Sequence, residues 1–121
     1  MAEPPCKRGQ FIKSNYIRRK IMTMYFVVRP EKKDEFVRMM LGMLEFVGEQ
    51  HREMREHALP PMYDRALRAT TRKYVAAINR LINVANVYKK VWRYEIVKDH
   101  RLLSDIGMDF NICEFFEIVE E

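Results

Sequence analysis

"IMTMYFVVRP", residues 21–30, reads as a β-strand that stops at its proline. Successive side chains of a strand point to opposite faces. One face here carries Met22, Met24, Phe26 and Val28. The other carries Ile21, Thr23, Tyr25, Val27 and Arg29, a mixed set that is still mostly apolar. A strand of a small antiparallel sheet ordinarily turns one face to water and alternates cleanly. The fold therefore turns on what covers the second face.

Outward from this strand, "RPEKKDEF" is a polar turn into a helix, with Asp34 as N-cap and Glu35 in the favourable first turn. Phe36, Met40, Met43, Val47 and Met54, with Leu44 and His51 beside them, recur at steps of three and four. That spacing predicts a helix of about 22 residues with a wide apolar stripe. Gly42 and Gly48 weaken it by about 1 kcal/mol each, unless a neighbouring backbone approaches closely there.

Pro60 and Pro61 interrupt the pattern, and "MYDRAL" is read as a short helical turn. A second helix is expected from about Thr71 to Asn86, turning Tyr74, Ile78, Leu81 and Ala85 inward, with Val75 and Ile82 at the edges. "VYKKVWRYEIV" (87–97), rich in β-branched and aromatic residues, reads as a strand. "KDH" is then a turn, "RLLSDI" a second strand of a hairpin, and Gly107 a punctuation mark. "MDFNICEFFEIVEE" is expected to be a last helix, capped by Asp109, with Ile112, Phe115, Phe116 and Val119 on one face and its acidic last turn frayed.

The expected class is α+β, a small antiparallel β-sheet of three or four strands with three amphipathic helices on one face. Three helices cover one side of such a sheet and leave the other. The mixed face, with Thr23, Tyr25 and Val27, has the character of a protein interface, where tyrosine is favoured. Closure by a second copy is the simplest solution, because most oligomers are two-fold homodimers. The fold expected is thus a homodimer through the other face of the sheet.

A chain of 121 residues fits one domain, here 21–121, after a flexible basic tail at 1–20. The tail holds six basic side chains against Glu3, which accounts for the whole net charge of +5. The body is neutral, so nucleic-acid affinity is expected to be confined to weak, salt-sensitive contact by the tail. Cys6 and Cys113 form no C-x-x-C pair and suggest an intracellular, reducing home, nuclear or cytoplasmic. No apolar run reaches the length of a membrane span and no signal peptide is visible, so neither membrane association nor secretion is expected.

Residues for catalysis are sparse. A nucleophile needs an activating base and a group to orient it, and the chain offers Ser14, Ser104 and three histidines. His51 and His57 lie six apart, off the i, i+4 spacing of a helical metal pair. No Gly-rich phosphate loop appears, and the carboxylates interleave with Lys and Arg as on solvated helix faces. No enzyme activity, cofactor, metal or small-molecule ligand is expected. Trp92 and Tyr94, with Lys89, Lys90 and Arg93 nearby, resemble a base-stacking platform for single-stranded RNA. Core or interface aromatics are the competing reading, since the strand lacks the glycines of an RNP1 pattern.

Particular residues resemble the enhancer of rudimentary family, with the likeness running over roughly 22–119. "TMYFVVRP" (23–30) is similar to that family's N-terminal strand. "KYVAAINRLINVANVYKKVWRYEIV" (73–97) runs helix into strand at the family's spacing, with Val91, Trp92 and Arg93 at its aliphatic, aromatic and arginine positions. "MDFNICEFFEIV" (108–119) resembles the last helix. The segment after Pro30 is shorter than the family's, the linker holding Pro60 and Pro61 longer, and the basic tail extra, as in a divergent member or paralogue.

The resemblance implies a non-catalytic homodimer, with Tyr25 and Val27 in the dimer strand, acting as an adaptor. Its expected partners are short linear motifs of RNA-processing proteins, in RNA metabolism and specifically small-RNA biogenesis. Nine methionines suit an adaptable binding surface, and Met39, Met40 and Met43 on the first helix are the candidates for a partner groove.

Overall fold

A computed structural model describes residues 24–57 and 60–120. The expectations for the basic tail at 1–20 and for Thr23 lie outside them. β1 is Met24–Val28 and forms the middle of a three-stranded sheet. β2, Val91–Trp92, and β3, Phe116–Glu120, pair with it on either side, both antiparallel.

The sheet is two-sided, as the alternation of β1 requires. Met24, Phe26 and Val28 are buried, whereas Tyr25 and Val27 are half-buried. Register extends this sidedness across the sheet. Phe26 faces Val91 and Ile118, and Val28 faces Phe116, on the inner side. Tyr25 faces Trp92 and Val119, and Val27 faces Glu117, on the outer side.

The inner side meets the helices. Pro30–Lys32 makes one 3-10 turn and α1 runs Lys33–Arg55. α2 is Pro61–Asn86 and α3 is Arg93–Ser104, while α4 is the single turn Ile112–Phe115. Phe26, Phe36, Met40, Ile78, Leu81, Ile96 and Leu103 are closed off from solvent in one core. Burying each such side chain contributes about 1.5–3 kcal/mol before entropy is subtracted. The ring of Phe36 is the hub, with centroids 5.5, 5.4 and 5.2 Å from Phe110, Phe115 and Phe116. It ties the start of α1 to the C-terminal segment.

Four sequence expectations need correction. α1 starts at Lys33, so Asp34 stands inside its first turn rather than at the cap. α2 starts at Pro61, where the missing N–H costs nothing because the first turn leaves that donor without a helical partner. Pro61 therefore opens the helix that the sequence reading began at Thr71. The predicted hairpin over 87–106 is a two-residue strand followed by α3. Ile96, Asp99 and Leu103 are the inward residues of α3, at helical spacing. Finally, the predicted helix from Asp109 is one turn, capped by Asn111, and then β3. The Asn111 side chain accepts a hydrogen bond from the Cys113 N–H at 3.1 Å.

α2 and α3 end with the same device. In α3 the Met108 N–H donates to Leu103 C=O (3.0 Å) and the Gly107 N–H to Ser104 C=O (2.9 Å), with Gly107 at φ 81°. In α2 the Lys89 N–H donates to Val84 C=O (3.0 Å) and the Tyr88 N–H to Ala85 C=O (3.3 Å), with Tyr88 at φ 50°. These are Schellman endings, which require a left-handed residue. Gly107 takes that conformation freely, and Tyr88 takes it at a cost of about 1 kcal/mol. At Gly42 and Gly48 an added Cβ would meet nothing within 4 Å, so close backbone approach does not explain either glycine.

Candidate interaction surfaces

The outer sheet face is the first surface. Tyr25 and Trp92 meet edge to face with centroids 6.1 Å apart, and Lys90 Nζ lies 5.1 Å from the Tyr25 ring centre. Trp92 remains 48% exposed although it sits in the sheet. Val27 and Val119 add aliphatic area, and Glu117 gives the patch one charged margin. Tyr25 and Val27, two of the interface residues expected from sequence, are thus brought together with Trp92 and Val119, which sequence reasoning did not assign to this face. The signal for Trp92 was its register against β1, which no single segment reveals.

The partner-groove methionines fall elsewhere. Met40 is fully buried on the inward side of α1, and Met39 and Met43 are half-buried against the core. Met40 is therefore a core residue, which corrects its expected place in a groove: it follows Phe36 by one helical turn on the inward stripe. A cleft of about 560 Å³ opens further along the α1–α2 pair, lined by Phe46, Met54, Tyr63, Leu67, Tyr74 and Ile106. His51 Nδ1 and Thr71 Oγ1, 2.8 Å apart, clasp the two helices beside it.

Trp92 and Tyr94 do not alternate along one strand, because Tyr94 is already in the first turn of α3. They do border a common cleft with Lys89 and Lys98. Its wall includes Asp99, buried on the inward side of α3 and gripped by Arg80 of α2 through two hydrogen bonds of 2.7 and 3.1 Å. The carboxylate raises the pKa of the Arg80 guanidinium above its ordinary value. This bidentate pair satisfies a charge that the core could not otherwise hold.

A cleft of about 530 Å³ lies between α3 and the segment 109–113. Arg93, Val97 and His100, on one side of α3, form one wall; Phe110 and Ile112 form the other, with Phe26 at the floor. Among the described residues no group of three or more His, Cys, Asp or Glu side chains could hold a metal ion. Nor is any described helix long and apolar enough to cross a membrane. No family model, curated protein or solved structure matches the chain.

Proposed function

We propose that this chain is a non-catalytic homodimeric adaptor, closed through the outer face of its sheet, that binds short segments of RNA-processing proteins. In this reading it scaffolds a complex in RNA metabolism, specifically small-RNA biogenesis, in the nucleus or cytoplasm. The partner class rests on the resemblance to the enhancer of rudimentary family. The dimer rests on one observation: Tyr25, Val27, Trp92 and Val119 share a sheet face opposite the one that enters the helical core. Such a face, aromatic and aliphatic with a polar margin, has the composition of an interface core. A two-fold dimer presents each binding surface twice, so two partner copies on one assembly gain avidity without new contacts.

The test is an affinity capture of wild type beside Tyr25→Arg, analysed by mass spectrometry. The arginine would leave an unpaired charge in the buried face and split the dimer. Loss of RNA-processing partners with the variant supports the reading; an unchanged partner set from a monomer overturns the bivalent scaffold.

A second reading, direct binding of single-stranded RNA, is favoured by the cleft that groups Trp92 and Tyr94 with Lys89 and Lys98. It predicts RNA retention that collapses with salt and is lost in Trp92→Ala. The adaptor predicts binding of peptides and little affinity for bare RNA.

A further inference from the structure

The cleft between α3 and segment 109–113 contains a charge without a counterpart among the described residues. Arg93 Nε is buried and makes no hydrogen bond. No ion pair of Arg93 occurs among the described residues, whereas the acidic group of the same cleft is already engaged. Asp109 accepts from Ser104 Oγ, and its Oδ1 lies 3.2 Å from His100 Nε2, out of line for a hydrogen bond. The terminal nitrogens of Arg93 are not closed off in the same way, so the cation is open to a partner from outside.

The rest of the wall says what would suit this cation. Val97, Phe110 and Ile112 flank Arg93 with apolar surface, and Phe26 closes the floor. Beside the cleft, the Arg29 guanidinium is spent on the Cys113 carbonyl at 3.3 and 3.4 Å, leaving its positive charge without a carboxylate in that contact. A free inorganic anion would use the guanidinium and waste the apolar walls. A carboxylate carried between two aliphatic side chains would use both.

We propose that this cleft is the peptide-recognition site of the adaptor, and that it selects an extended segment with an acidic residue between apolar ones. The peptide carboxylate would accept end-on from the two terminal nitrogens of Arg93, the paired geometry that makes arginine selective for carboxylates. The apolar neighbours would seat on Val97 and on Phe110 and Ile112. This inference rests on the adaptor reading and adds to it the chemistry of the partner.

The experiment uses full-length, nitrogen-15-labelled protein titrated with N-acetyl-Leu-Glu-Leu-amide and with its Leu-Gln-Leu counterpart. The Arg93 Nε–Hε resonance, assigned by its disappearance in Arg93→Gln, is the readout. The glutamate peptide is expected to move that resonance saturably and to bind about tenfold more tightly than the glutamine peptide, with the preference gone in Arg93→Gln. Equal affinity for the two peptides, or a preference that survives Arg93→Gln, overturns the proposal. So does an Arg93 resonance that acetate or inorganic phosphate moves as readily as the peptide, or that no probe moves. Should Arg93→Gln fail to fold, Arg93→Lys keeps the charge but loses the two-nitrogen fork, and is expected to lose most of the preference. The mass of the same sample by light scattering separates the two ideas. A monomer whose Arg93 responds keeps the cleft and sinks the dimer; a silent dimer does the reverse.

Discussion

The two faces of β1 come from five consecutive residues and have different fates. Met24, Phe26 and Val28 go under the helices; Tyr25 and Val27 stop halfway. The inner face is aliphatic and aromatic with no polar atom beyond a thioether, and it needs nothing but close packing. The outer face mixes a phenol, an indole, two valines and a carboxylate across three strands. Such a set tolerates water in the free chain and gains by losing it on association. The difference teaches that the half-buried state of Tyr25 is a property of the surface and not a defect of packing.

Substitutions can break this contrast in a graded way. Phe26→Ala removes a ring at the centre of the core and is expected to cost about 3–5 kcal/mol in urea unfolding. If it costs under about 1 kcal/mol, the inner face is not the packed one. Next comes Arg80→Ala, which strands the buried Asp99 carboxylate and should cost about 2 kcal/mol. The double variant with Asp99→Leu should recover most of it, because an apolar residue there meets the same core. A smaller effect is expected for Gly107→Ala, about 1 kcal/mol of destabilisation from the left-handed φ; Tyr88→Gly, at the matching ending of α2, should gain about as much. Gly48→Ala should stabilise by somewhat under 1 kcal/mol, since the site is open and only helix propensity changes. Thermal melts of the last three variants at one protein concentration check the ordering.

The contrast also explains what could be read from the chain. α1 was legible because Phe36, Met40 and Val47 repeat at helical spacing with no polar interruption. Most of α2 was legible for the same reason, and only its start was lost, since Pro61 signals both a break and a first turn. α3 was hidden because its inward row is Ile96, Asp99 and Leu103: the middle member is a carboxylate that only Arg80, nineteen residues earlier, makes tolerable. Without that partner in view, the β-branched and aromatic content of 87–97 pointed to a strand. β3 was hidden by a true ambiguity. Phe115, Phe116 and Val119 fit a helix, while Phe116 and Ile118 fit a strand, and pairing with β1 decides between them. Of the surfaces, Tyr25 and Val27 could be assigned from local alternation. Trp92 and the Arg93 cleft could not, because both depend on which distant segments pack beside them.

The central claim, that a second copy covers the outer sheet face, is tested most directly by light scattering of wild type and Tyr25→Arg at micromolar concentration. The account predicts twice the chain mass of 14.6 kDa for wild type and a single 14.6 kDa chain, still folded, for the variant. A wild-type mass of 14.6 kDa, or a Tyr25→Arg dimer as stable as wild type, would contradict it.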